Sequence, residues 1–265
     1  YLLQLIRLYL QSYKFFNMTI LTIFFLITAI LYSSVGFGGG STYLALMLIW
    51  GIPFYIFPII ALFCNIIVVS GNSINFIRSG NLNIKLLIPY LIGSIPFAFI
   101  GGSIQIEKEF FEILLFIILI IAGILLLMES KSFSQDEIKI KNIPKIFSII
   151  IGSIIGFISG LIGIGGGIFL SPLLFLIKAG YPKHITSTAS IFILINSIFG
   201  VAGQLTKNII LNEFLNYWPL FVAVLVGGQI GSILNIKFLS NRTLAVTTSL
   251  LVIFVAVRMG FRILS

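Results

Sequence analysis

The sequence has 265 residues, of which 59% are hydrophobic and only 9% are charged, and its mean hydropathy is +1.19. Soluble domains carry roughly 25% charged residues, so this composition excludes a soluble domain and predicts an all-α polytopic membrane protein in a lipid bilayer. In a soluble protein the net charge of +9 would suggest nucleic acid as a partner. Here Lys and Arg cluster in short loops, as the positive-inside rule expects, and we predict no nucleic-acid partner.

Residues 18–128 form the first predicted transmembrane unit. Its long apolar runs are 18–35, 58–77, 86–104 and 110–128. Between the first two runs lies a short apolar piece, 42–50, which as a helix covers about 15 Å, half of a hydrocarbon core about 30 Å thick. Residues 1–17 precede this unit and are either an N-terminal extension or an amphipathic helix on the membrane surface.

A polar linker, residues 129–144, follows the first unit, and its lysines predict a cytoplasmic location. Residues 145–265 form the second predicted unit. It repeats the order of the first, with long runs at 145–162, 185–206, 214–236 and 242–263 and a short piece at 168–177. If the short pieces do not cross the membrane, the chain has eight crossings. If they do cross, it has ten, and the two units are inverted repeats, as in many secondary transporters.

The main sign of duplication is a glycine-rich break directly after the first long run of each unit. Gly36-Phe37-Gly38-Gly39-Gly40 aligns with Gly163-Ile164-Gly165-Gly166-Gly167. Further matches keep the same order along the chain: Gly51-Ile52-Pro53 with Gly180-Tyr181-Pro182, Asn65 with Asn196, Pro89 with Pro219, and Gly101 with Gly231. This ordered series predicts a duplicated bundle, with four long spans and one short broken-helix segment in each half.

The two breaks need a physical reason, because glycine costs roughly 1 kcal/mol relative to alanine inside a helix. Unwound backbone at membrane depth is tolerated only where protein covers it or where it lines a wet cavity. A glycine run presents several N–H groups in one direction, and a helix that begins after it adds about half a positive charge. We predict helix starts at Ser41–Thr42 and Ile168–Phe169, with Pro172 in the first turn of the second helix, and hence an anion site between two helix ends. The alternative is that the glycines only allow close helix packing.

Amide side chains within the apolar runs extend this predicted site. Asn65 and Asn196 occupy matching positions, and Gln204 lies eight residues beyond Asn196 on nearly the same helix face. These amides either contact an anion or form hydrogen bonds between helices. The candidate substrate-binding residues are therefore Gly38, Gly39, Gly40, Ser41, Asn65, Gly165, Gly166, Gly167, Asn196 and Gln204.

The two breaks, the stretch GGGIFLSPLL at 165–174 and the duplicated layout resemble the TauE/SafE family, also called the toluene-sulfonate uptake permeases. The resemblance covers residues 18–263. The second copy is the better match, since Ala45 stands in the first copy where Pro172 stands in the second. The resemblance implies a secondary transporter of the plasma (inner) membrane, most often an exporter, for a small sulfur-containing anion such as sulfite or an organosulfonate.

The sequence argues against catalysis and against a carboxylate proton relay. No predicted span has Asp or Glu at its centre, and the chain contains one histidine, His184, and one cysteine, Cys64. These residues are too few for a metal cluster or for a nucleophile with its base. We therefore predict no enzyme, no cofactor and no metal site, with a small anion as the substrate. The alternatives are an anion channel and a non-transporting membrane assembly or anchoring subunit, and homo-oligomerisation is left open.

Overall fold

A computed structural model describes residues 2–131, 140–141, 143–207 and 211–237, together with residues 253 and 257. Within these residues the regular structure is helical, as the composition predicts. The helices are α1 (Leu2–Val35), α2 (Gly40–Ile49), α3 (Phe57–Arg78), α4 (Ile84–Ser103), α5 (Lys108–Lys131), α6 (Lys145–Ile162), α7 (Gly167–Leu176), α8 (Pro182–Gln204), α9 (Leu211–Leu215) and α10 (Trp218–Lys237).

Five helical segments among the described residues are long and apolar enough to cross a membrane, which confirms a multi-pass membrane protein. They are Asn17–Val35, Phe54–Arg78, Ile84–Ser103, Lys145–Ile162 and Lys183–Gln204. The predicted run at 242–263 lies outside the described residues, apart from residues 253 and 257, and so does most of the linker.

The observed helices differ from the prediction by more than a residue or two at three places. α1 continues without interruption across the boundary predicted between residues 17 and 18. The run predicted at 214–236 is divided, because α9 ends before α10 begins at Trp218. The placement of Pro172 in a first turn is wrong, because α7 begins at Gly167 and Pro172 therefore lies in the second turn.

Each short helix folds back along the long helix that precedes it. The ring of Tyr43 in α2 stacks on Phe25 of α1 with centroids 4.6 Å apart, and Trp50 just after α2 lies 5.4 Å from Phe24. In the second unit, Leu176 at the end of α7 lines one crevice with Phe147 near the start of α6. Both short helices therefore return toward the end of the bundle at which their long partner entered.

Helix packing between the two units is reciprocal. α4 packs on α6, where a Cβ atom added to Gly101 would collide with the carbonyl oxygen of Phe157. α10 packs on α1, where a Cβ atom on Gly231 would collide with the carbonyl oxygen of Ile30. Gly101 and Gly231 are aligned positions, and Ile30 and Phe157 each lie six residues before the first glycine of their break. These matched contacts support the duplication, which stays a prediction.

The central helices α3 and α8 run in opposite directions. The hydroxyl groups of Ser73 and Ser190 lie 3.4 Å apart, whereas Leu62, earlier in α3, lies against Gly200, later in α8. Because α3 and α8 are the aligned helices of the two units, their antiparallel arrangement is the one expected of inverted repeats.

The two ends of the bundle carry opposite charge. The end where α3 stops and α4, α6 and α8 begin, here called the basic end, has Arg78, Lys85, Lys141, Lys145, Lys178 and Lys183 and no carboxylate among its described side chains. The opposite end, here called the acidic end, has Glu107, Glu109, Glu112 and Glu213 with Lys108 and Lys207. The positive-inside rule predicts that the basic end faces the cytoplasm, on the side predicted for the linker.

Candidate functional site

Both glycine-rich breaks end in the same backbone conformation. The N-cap of α2 is Gly39, with φ 88°, and the N-cap of α7 is Gly166, with φ 79°. These left-handed values are accessible to glycine at little cost and are rare for residues with a Cβ atom. Each glycine thus turns the chain sharply enough for a short helix to start inside the protein.

The two helix N-termini are buried and have no side-chain cap. Among the described residues, no acceptor is present for the N–H groups of Gly39, Gly40 and Ser41, or for those of Gly166, Gly167 and Ile168. A buried helix end normally binds a side chain, water or a ligand, because an unsatisfied buried donor costs about 1–3 kcal/mol. These six buried N–H groups are therefore candidates for binding a polar ligand that accepts hydrogen bonds.

Asn65 of α3 brings the two breaks together. Its Nδ2 atom donates a 2.9 Å hydrogen bond to the carbonyl oxygen of Ile164 in the second break. A Cβ atom added to Gly40 would lie 2.6 Å from the same Nδ2, and one added to Gly165 would lie 2.7 Å from it. A Cβ atom on Gly38 would collide with Oδ1 of Asn65. The glycines are thus needed for the backbone to approach this one amide from both sides.

The Oδ1 atom of Asn65 is buried and has no hydrogen-bond partner among the described residues. An uncompensated buried acceptor is uncommon in native structures and indicates a missing partner or a functional role. The structure therefore brings predicted site residues of both breaks around a polar group that is only half satisfied.

Hydroxyl groups surround the start of α2. The Tyr32 hydroxyl lies 2.8 Å from Oγ1 of Thr42 and 3.4 Å from Oγ of Ser41. Ser41 was predicted as a site residue, and Tyr32 and Thr42 join it here. The sequence could have indicated Tyr32, because a phenol lies there within an apolar run, four residues before the first break.

Asn196 makes its hydrogen bond within its own helix. Its Nδ2 donates to the carbonyl oxygen of Phe192 at 2.8 Å, and its Oδ1 has no partner among the described residues. On α8, the residues that face Gly165 and Gly167 are Ile193 and Ser197. Asn196 is therefore buried beside the predicted site without the bridging contacts that its aligned counterpart Asn65 makes.

Gln204 lies in a different place from the other predicted residues. Its Nε2 donates to the carbonyl oxygen of Gly160 at 3.0 Å, and its Oε1 accepts a 2.9 Å hydrogen bond from Lys207 Nζ. Both side chains line a cavity of about 240 Å³ at the acidic end, which also includes Tyr55 and Gln105. Burial lowers the pKa of Lys207 to about 8. Lys207 was missed by the sequence reasoning because a lysine just after an apolar span is ordinarily an interfacial residue.

The wall of this cavity reaches the second break. Pro58 and Leu161 line it, and a Cβ atom added to Gly163 would lie 2.5 Å from Cα of Pro58. A wall that is one residue thick, formed by Pro58, therefore separates the cavity from Gly163, the first glycine of the second break.

The described part of the chain contains no group of His, Cys, Asp and Glu that could hold a metal ion. His184 lies at the start of α8, with its ring centroid 6.0 Å from that of Tyr181, at the basic end of the bundle. His184 therefore lies apart from the groups around the breaks, whereas Cys64 is buried next to Asn65 in α3.

The sequence profile of the family described as "Sulfite exporter TauE/SafE" matches residues 20–259, nearly the whole chain. The chain belongs to this family. The match confirms the resemblance drawn from the two breaks, and the family indicates a membrane transporter.

Curated relatives carry transporter names. The chain is 31% identical over 233 residues to "Probable membrane transporter protein y4hK" of Sinorhizobium fredii, covering 87% of this chain and 93% of the relative. It is 22% identical over 265 residues to "Probable membrane transporter protein YunE" of Bacillus subtilis, covering 90% and 96%. No solved structure gives a significant match.

Proposed function

We propose that this protein is a secondary transporter that exports a small sulfur-containing anion, such as sulfite or an organosulfonate, and binds it where the two glycine-rich breaks meet. The observation that carries the proposal is the pair of buried, uncapped helix N-termini on either side of Asn65. The printed description of the family, a sulfite exporter, supports the substrate class.

The geometry suits an anion with several oxygen atoms. The N–H groups at the starts of α2 and α7 donate to its oxygens, and each helix dipole adds about half a positive charge. Asn65 Nδ2 contributes a further donor if it exchanges the Ile164 carbonyl for the anion. Because partial charges rather than a buried Lys or Arg hold the anion, binding is weak enough for release on the other side.

Transport in this proposal follows the membrane potential and the gradient of the anion itself. An inside-negative potential favours outward movement of an anion by about 2.3 kcal/mol per charge per 100 mV. The described carboxylates Glu107, Glu109, Glu112 and Glu213 lie at the acidic end, away from the breaks, so none of them is placed to relay protons beside the anion. Opposed half-helices in antiparallel units provide a site that rocking of one unit against the other exposes alternately.

The test is flux of labelled sulfite or an organosulfonate in proteoliposomes with a clamped potential. We expect saturable flux that follows the potential, without the single-channel current that a channel would give. Uphill accumulation driven by a pH gradient alone, and persisting in His184→Ala, would contradict the coupling. Absence of flux for every sulfur anion tested would favour a non-transporting membrane subunit.

A further inference from the structure

A groove opens between the starts of α4 and α6 at the basic end, well away from the glycine-rich breaks. Its volume is about 860 Å³. Three lysines line its outer part, Lys85 on α4, Lys145 on α6, and Lys141 in the segment before α6. Apolar side chains, among them Ile88 and Ile92, line the inner part. Transport by the proposed mechanism uses none of these residues.

We propose that this groove binds one anionic phospholipid, with the lysines on its phosphate and the isoleucines along its acyl chains. The binding is a second function of the chain and is independent of the proposed anion site. Basic pockets between transmembrane helices on the cytoplasmic side are a recognised form of lipid headgroup site.

The order of residues along each helix matches the order of groups in a lipid. On α4, Ile88 and Ile92 follow Lys85 by three and seven residues, so all three lie on one helix face, with the lysine toward the membrane surface. The two isoleucines are 47% and 58% exposed, as lipid-facing residues are. On α6, Ile149 follows Lys145 by four residues and lines the same groove. Each helix thus places an ammonium group one turn above an apolar surface.

The charge at the groove is uncompensated within the described structure. Every carboxylate with a described side chain lies at the acidic end, so none of these pairs with the three lysines. α4 and α6 both begin at the groove, and their dipoles add to the positive potential there. An anion that stays at the membrane surface is the ligand that this potential attracts.

The backbone holds Lys141 in place at the groove. Its N–H donates a 3.1 Å hydrogen bond to the carbonyl oxygen of Lys178, and the neighbouring Ala179 lines the groove wall. Further along the two helices, a Cβ atom on Gly152 would collide with the carbonyl oxygen of Tyr90, so the backbones of α4 and α6 touch there. The groove therefore has a closed floor between the helices at this level, while Ile92 still lines its side.

The test is a titration of detergent-solubilised protein with short-chain phosphatidylglycerol, read by native mass spectrometry, with phosphatidylcholine as the neutral comparison. The variant Lys85→Gln/Lys141→Gln/Lys145→Gln should lose about a hundredfold in affinity for phosphatidylglycerol, since each surface lysine contributes about fivefold. A matched control, Arg78→Gln/Lys178→Gln/Lys183→Gln, removes the same charge from the same end without touching the groove lining, and should stay within about threefold of wild type.

Any one of the following outcomes would overturn the assignment. Equal losses in the two triple variants would mean that binding depends on general charge. Equal affinity of the wild type for phosphatidylglycerol and phosphatidylcholine would mean that the lysines do not recognise the net negative charge of the lipid headgroup. Equal affinity for inorganic phosphate and for the lipid would identify a free-phosphate site. If the triple groove variant does not fold, Lys85→Gln and Lys145→Gln alone should each lose about fivefold, and unchanged affinity in both would overturn the proposal.

Discussion

The two glycine-rich breaks have the same backbone and different surroundings. Both end in a left-handed glycine that starts a short helix, at Gly39 and at Gly166. The first break is lined by hydroxyl groups from Tyr32, Ser41 and Thr42. At the aligned positions of the second break stand Ser159, Ile168 and Phe169.

The amide side chains differ in the same way. Asn65 contacts both breaks, whereas its aligned counterpart Asn196 donates to its own helix. The duplicated motif therefore supplies the helix ends twice but the bridging amide only once. This asymmetry predicts that substitutions of aligned glycines should have equal effects, and that substitutions of aligned polar residues should not.

The largest effect is expected from valine at the capping glycines. In Gly166→Val, a β-branched residue would have to adopt φ 79°, and its Cβ would lie 2.8 Å from Cγ2 of Ile155 and 3.0 Å from Cε1 of Phe192. We expect flux to fall to about 1% of wild type, with strain on the order of 1–3 kcal/mol displacing the start of α7. Gly39→Val should cause an equal loss, measured as initial flux in proteoliposomes.

The matched control is Gly51→Val. Gly51 also has a positive φ, 67°, but it is exposed, and a Cβ atom there would meet no atom within 4 Å. It should retain most of the flux at equal membrane insertion. Comparable losses in Gly51→Val and Gly166→Val would attribute the effect to backbone strain in general, and wild-type flux in Gly166→Val would remove the breaks from the site.

A smaller and unequal pair of effects is expected at the aligned amides. Asn65→Leu leaves the carbonyl oxygen of Ile164 unpaired, at a cost of about 1–3 kcal/mol, and removes the amide that lies against both breaks. Flux should fall by about tenfold or more. Asn196→Leu removes one hydrogen bond within a helix and should cost about 0.5 kcal/mol, the low end for a hydrogen bond in a protein, which corresponds to a factor of about two to three. Equal losses would mean that the two halves contribute symmetrically.

The sequence was sufficient to predict most helix bounds, because long apolar runs define transmembrane spans. It was also sufficient to predict that the two breaks contain helix starts, since only glycine readily adopts the left-handed conformation found at Gly39 and Gly166. The start of α7 was predicted one residue late, because Gly166 is the cap and Gly167 already belongs to the helix.

The partners of the polar side chains could not be predicted from one sequence. Asn65 and Ile164 are 99 residues apart, and their contact depends on how α3 packs against the second unit. Gln204 shows the same limit: its helix face suggested the breaks, but its partners are Gly160 and Lys207 at the acidic end. Periodicity assigns a residue to a face, and only the packing of the helices determines what that face meets.

The cavity next to the second break, at the acidic end, makes a third, pH-dependent difference. The pKa of Lys207 is lowered by burial to about 8, so its charge is present below that pH and lost above it. For an organosulfonate, whose own charge is constant, the KM of transport should rise between pH 7 and pH 9. The midpoint should be near pH 8, measured in the solution that contacts the acidic end of the bundle. Lys207→Gln should show a raised KM at pH 7, by about fivefold, and no pH dependence in this range.

The titration of Lys207 affects folding stability in the opposite direction to transport: raising the pH weakens transport and increases stability. The folded protein binds fewer protons than the unfolded chain between pH 8 and the ordinary lysine pKa of 10.5, so this group's contribution to stability rises with pH across that window. Glu213 and Tyr217 lie at the same end of the bundle as Lys207. The pKa of Tyr217 is raised, mainly by burial and to a smaller extent by the negative charge of Glu213. A pH dependence that persists in Lys207→Gln would assign the titration to another group.

The smallest effect is expected at the hydroxyl cluster that distinguishes the first break. Tyr32→Phe keeps the ring in its buried position and removes only the hydroxyl that lies 2.8 Å from Thr42 Oγ1 and 3.4 Å from Ser41 Oγ. A hydrogen bond between helices in a membrane contributes about 0.6 kcal/mol, so a purely structural role predicts a flux loss of about threefold or less.

The matched variant in the second unit is Ser159→Ala, which removes a hydroxyl that has no partner among the described residues, and it should be close to neutral. If Tyr32→Phe instead lowers flux by about tenfold while Ser159→Ala is neutral, the cluster orients Ser41 and Thr42 toward the anion, and the first break makes the larger contribution to binding. Equal, small effects in both variants would leave the backbone N–H groups and Asn65 as the whole of the site.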